Sequence, residues 1–121
     1  MFTAIFSLLL IHEMDAIRAK EWKMFIVLKD MGEEAAYKVF TILHFPLYFM
    51  ALYIMTQGET NTNYIFKIII DVFLITHAII HFCFRKHILN GFKSLFSKTI
   101  IYLMAVLSIL HLCLLFFGGR L

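Results

Sequence analysis

Four apolar runs, each near the length that crosses a bilayer and each ended by charged or loop-forming residues, leave this chain little choice of fold. They cover about 2–17, 34–56, 63–85 and 97–117 of the 121 residues. The first falls short of the roughly 20 residues that a hydrocarbon core of about 30 Å requires. It is expected to continue as helix to 29, with Trp22 and Phe25 among Lys20, Lys23 and Lys29 suited to the headgroup region. A turn at Lys29-Asp30-Met31-Gly32 precedes Glu33 and Glu34, which favour a new helix N-terminus. Residues 57–63, with Gly58 and several Asn and Thr, form the clearest polar loop, and Gly118-Gly119 closes the last run.

Hydrophobic residues make up 62% of the chain and charged ones 16%, against roughly 45–50% and roughly 25% in globular domains. A soluble domain this small could not bury so much apolar surface. The expected fold is therefore all-α, a single integral membrane bundle of four transmembrane helices. The N-terminal run lacks a basic region before it and a small-residue cleavage site after it, so it is read as a retained helix.

The net charge of +3 does not point to nucleic acid, because the basic residues sit at the ends of the apolar runs rather than on one face. Arg18, Lys20, Lys23, Lys29, Lys38, Arg85, Lys86, Lys93 and Lys98 fall on one side of a four-span topology, and only Lys67 and Arg120 on the other. The positive-inside rule then puts the loops after spans one and three in the cytoplasm and both termini outside, with the plasma membrane as the expected location.

The polar residues inside the spans carry the chemistry. Counting about 1.5 Å per helical residue from the nearest basic anchor puts His12 and His44 roughly 9 Å deep, His77 roughly 12 Å and His81 roughly 6 Å. Four imidazoles on three helices thus share one level, with Glu13 and Asp15 in it and Glu21 at its edge. Such groups face the bundle interior, because a charge near the bilayer centre costs at least about 2.5–3.5 kcal/mol. His77 and His81 are i, i+4 and project from one helix face, and Pro46 could re-aim His44 through a kink.

Several imidazoles with one or two carboxylates suit Zn²⁺ or non-haem iron, and six such groups could hold two metals. The expected ligands are His12, Asp15, His44, His77 and His81. Glu13 and Glu21 are alternative ligands or partners that orient one, and Glu13 or Asp15 is the candidate base. Asp71 and His111 lie together in the outer half, roughly 20 Å from the basic anchors, and are expected to pair. Cys83 and Cys113 sit at opposite membrane boundaries, too far apart for a disulfide.

The segment His12-Glu13-Met14-Asp15-Ala16 followed by Glu21-Trp22, with His44-Phe45-Pro46 in span two and the paired histidines of span three, resembles small bacterial membrane proteins grouped as a domain of unknown function. It is also distantly similar to the HXXEE family, although Asp15-Ala16 stand where that pattern has two glutamates. These resemblances imply a membrane class and bring no established activity.

Three functions follow from the residues. The first is a membrane metalloprotein, as an oxidoreductase or hydrolase acting on a lipid-soluble substrate. The second is a haem-binding electron carrier ligated by a pair such as His44 and His77. The third is a small transporter or accessory subunit whose polar layer conducts protons or docks helices. Membrane lipids are the expected surroundings, and a homodimer or larger membrane complex would shield more polar surface.

Overall fold

The computed structural model describes residues 1–118 apart from Ile26, Lys29, Glu59, Ile88 and Leu89. The expectations placed on Lys29, Gly119 and Arg120 therefore lie outside the described residues. Helix α1 (Phe2–Ala19) is followed by a one-turn 3-10 helix, Glu21–Met24, and then by α2 (Glu33–Thr56), α3 (Asn61–Cys83) and α4 (Leu95–Phe117). Three of these, α2, α3 and α4, are long and apolar enough to cross a membrane. Helix α1 has 18 residues and carries Glu13, Asp15 and Arg18 in its last two turns.

Local chemistry accounts for the ends of these elements. Thr60 and Ser94 cap α3 and α4, their hydroxyl oxygens accepting from the backbone N–H of Asn63 at 3.1 Å and of Ser97 at 3.0 Å. The Asn63 side chain donates to the Ile54 carbonyl at 3.1 Å, which ties the α2–α3 hairpin together. Helix α2 runs through Pro46 without a break.

The expected helical continuation to 29 is replaced by a stop at Ala19. Lys20 takes a left-handed conformation at φ 55°, and its N–H bonds back to the carbonyls of Ala16 and Ile17. This reversal is held from outside, because Lys20 and Lys23 both pair with Glu33 at the start of α2. The consequence for the site is that Glu21 leaves the α1 spiral and turns inward.

Helix α4 is the centre of packing, making its most extensive contacts with α3 and then with α1. One apolar cluster gathers Phe2, Ile5, Phe6 and Leu9 of α1 with Leu74 of α3 and Met104 of α4. A second gathers Ala16, Trp22, Phe40, Ala78, Phe92 and Ile101 at the other end. Helix α2 touches α3 and the 3-10 turn over shorter stretches, and Ile42 and Phe45 on it are 68% and 70% exposed. Apolar side chains so exposed suit lipid rather than water. Cys83 and Cys113 are both free.

The α3–α4 connection closes over the end of α1. A Cβ on Gly91 would clash with the carbonyl oxygen of Ala19 and stand 2.9 Å from its Cβ. Gly91→Ala should therefore cost about 1–3 kcal/mol, the usual range for overpacking a fitted contact. Thermal unfolding in detergent reads this as a lowered midpoint. Gly118→Ala, with no atom within 4 Å of the added methyl, should leave the midpoint unchanged.

Candidate metal centre

His12 lies on the buried stripe of α1 that also carries Leu9, Asp15 and Ala16, and His81 on the stripe of α3 that carries Leu74 and Ala78. His77, one turn before His81, is half-buried beside it. The stop at Lys20 swings Glu21 in from a third direction. The result is convergence on one point.

His12 Nε2 lies 2.8 Å from His77 Nε2, and His77 Nε2 lies 3.0 Å from His81 Nε2. Glu21 Oε1 is 3.5 Å from His81 Nε2. The four donor atoms all lie within 4.8 Å of one another. Tetrahedral bonds of about 2.0–2.1 Å to nitrogen and oxygen set neighbouring ligand atoms roughly 3.3–3.4 Å apart. The observed spacings bracket that value, so an ion at the centre requires only small side-chain adjustments.

Three imidazole nitrogens at one point cannot satisfy each other fully, because both contacts share His77 Nε2, whose one N–H or one lone pair makes a single conventional hydrogen bond. Moreover, the Nδ1 atoms of His12 and His81 are buried with no partner among the described residues. A cation would use all three Nε2 lone pairs at once. The cluster is also largely enclosed: His12 is fully buried, and Glu21 and His81 are 7% and 6% exposed. Burial works to raise the Glu21 carboxyl, but its hydrogen bond to His81 and the nearby His77 and His12 outweigh that and hold it below the usual carboxylate range.

Phe92, from the α3–α4 connection, forms a wall, with its ring centroid 4.6 Å from that of His81 and 5.3 Å from that of His12. Asn90 shapes this wall. Its side chain donates to the Phe84 carbonyl at 3.0 Å and accepts from the Phe92 N–H at 2.9 Å. Sequence reasoning did not find the roles of Asn90, Gly91 and Phe92; the Asn-Gly pair marks a turn, but nothing in it tells which helix end the turn will cover.

The other residues expected at the site have different partners. His44 Nδ1–H donates to the Phe40 carbonyl at 2.6 Å, and His44 Nε2 shares a proton with Glu13 Oε2 across 2.8 Å. Asp15 accepts from Arg18, 2.8 Å from its Nη2 and 2.9 Å from its Nε. Both pairs stand outside the four-residue group. Elsewhere, His111 Nδ1–H donates to Asp71 Oδ2 at 2.6 Å, linking α3 to α4.

A model of a family of unknown function, DUF6713, matches residues 1–117. The chain belongs to that family. No curated protein and no solved structure matches it.

Proposed function

We propose that this DUF6713 protein is a four-span integral membrane metalloprotein that binds one Zn²⁺ or Fe²⁺ ion through His12, His77, His81 and Glu21. The observation that carries the reading is the approach of these four donor atoms to within 4.8 Å of one another, with three of the four residues buried. Three nitrogens and one carboxylate oxygen are a donor set for Zn²⁺ or non-haem iron, whereas Mg²⁺ and Ca²⁺ select oxygen. Helices α2, α3 and α4 supply three spans. Helix α1 serves as the fourth, since its acidic residues face His44 and Arg18 rather than lipid.

The basic residues set the orientation of this arrangement. Arg18, Lys20, Lys23 and Lys38 flank one connection and Arg85, Lys86, Lys93 and Lys98 the other, so both connections lie in the cytoplasm, with the termini outside the plasma membrane. The metal then sits just inside the cytoplasmic boundary, where a Lewis acid can meet a membrane-borne substrate. Haem ligation fits less well, because the His77 ring already contacts His12 and His81 and leaves no room for a macrocycle.

Elemental analysis of protein purified in detergent tests the reading, and metal titration after chelation completes it. About one equivalent of zinc or iron per chain is expected, from four ligands at a single centre. Protein that copurifies with no metal, and takes up neither ion when titrated, would sink the proposal.

A further inference from the structure

Beside the histidine cluster lies a cleft of about 20 Å³, lined by His81, Arg85, Asn90, Phe92, Lys98 and Tyr102. That is room for one oxygen atom, not for a whole substrate. One wall, His81, is a residue of the metal group, and its Nδ1 is a buried polar atom without a hydrogen-bond partner among the described residues. The other walls bring two cations from two different helix ends, Arg85 after α3 and Lys98 in the first turn of α4.

Neither cation is neutralised within the described chain. Arg85 donates from Nη1 to the Phe82 carbonyl at 2.8 Å, and its guanidinium stacks 4.1 Å from the Phe82 ring centre. These contacts position the group and leave its other N–H donors available. Lys98 has no ion pair among the described residues, while Lys20, Lys23 and Lys38 all pair with glutamates. Asn90 ties the cleft wall to the end of α3 through its bonds to Phe84 and Phe92.

We propose that this cleft binds a phosphate monoester or inorganic phosphate, with one oxygen entering beside His81 and the remaining charge held at the mouth by Arg85 and Lys98. Two monocations match a phosphate monoester, which carries about −1.5 to −2 near neutral pH. Guanidinium and phosphate pair through parallel hydrogen bonds, and basic pockets between helices at the cytoplasmic boundary take lipid headgroups in this way. The inference rests on the metal reading in one respect only: the cleft and the metal group share His81.

The experiment uses metal-stripped full-length protein kept in chelator, so that it does not depend on metal uptake. Retention of phosphatidate is read by native mass spectrometry from nanodiscs of phosphatidate in phosphatidylcholine. Inorganic phosphate is titrated calorimetrically into nanodiscs of phosphatidylcholine alone. Arg85→Gln with Lys98→Gln should weaken binding by about tenfold or more, whereas Lys86→Gln with Lys93→Gln, outside the cleft, should change it less than about twofold.

Phosphatidate retention that follows this pattern supports the site and identifies a lipid ligand. Phosphate binding alone, with the same pattern, supports the site and identifies a soluble one. No binding in either arm, or equal losses in the two double variants, overturns the inference. Protein that binds the anion but never a metal keeps this inference and loses the preceding one. Lys98→Arg keeps the charge and should retain binding, which separates a lost contact from a misfolded variant.

Discussion

His77→Ala should lower the affinity for Zn²⁺ by at least about a hundredfold, while His44→Ala should change it by less than about tenfold. Structural zinc sites with four ligands bind with about 10–16 kcal/mol, so one ligand accounts for roughly 3 kcal/mol, a factor above a hundred. His77 has the greatest leverage because its Nε2 is the atom in contact with both His12 and His81. His44 belongs to the same depth but bonds Glu13 and the Phe40 carbonyl, so its loss should disturb the centre only through its neighbours. Competition against a chromophoric chelator in detergent measures both variants. Equal losses at His77 and His44 would mean that the ion, if bound, sits elsewhere in the polar layer. Glu21→Gln, which keeps shape and removes charge, should fall between the two.

Helix borders were readable because hydropathy changes sharply where the spans end. Runs expected at 63–85 and 97–117 appear as Asn61–Cys83 and Leu95–Phe117, with Thr60 and Ser94 supplying their caps. The end of α1 was not readable in this way. Left-handed caps usually announce themselves with glycine, and here the residue is Lys20, whose reversal is held by Glu33, thirteen residues on. That turn decides which carboxylate reaches the histidines.

Depth counting brings His12, His44, His77 and His81 to one level but says nothing about direction around each helix. The i, i+4 spacing supplied direction for His77 and His81 alone. Three of the four rings meet at a point, and the fourth faces α1. Asp15, in the same layer, is drawn to Arg18 one turn later on its own helix, a local pairing that competes with any centre across the bundle. Glu21 reaches the centre only because α1 stops where it does.

His111→Phe should destabilise the bundle by about 2–3 kcal/mol, more than Asp71→Leu, with an expected cost of about 1–2 kcal/mol. Both groups lie between α3 and α4, joined by a 2.6 Å hydrogen bond, with Asp71 fully buried among residues such as Leu74 and Met104. Breaking a buried ion pair in a soluble protein costs about 3–5 kcal/mol. Polar pairs between membrane helices average only about 0.6 and reach about 1.7 kcal/mol, because helices apart in lipid find other partners. The enclosure of Asp71 places this pair near the upper end of the membrane range, because the Ser108 hydroxyl is the one other donor near it among the described residues.

The asymmetry follows from the second oxygen: Asp71 Oδ1 lacks a close partner among the described residues, so removing His111 leaves the carboxylate only the buried Ser108 hydroxyl nearby in an apolar interior. Removing Asp71 takes that oxygen away and leaves an imidazole at the rim, 8% exposed and beside the Phe2 ring. Asp71→Leu with His111→Phe should therefore recover most of the loss, giving a coupling of about 1 kcal/mol or more in a double-mutant cycle. Unfolding with denaturant in detergent gives the four stabilities. Additive losses would show that the pair adds nothing as a pair. Metal uptake should be the same in all four, because Asp71 stands roughly 9 Å along α3 from His77, with Leu74 fully buried between them.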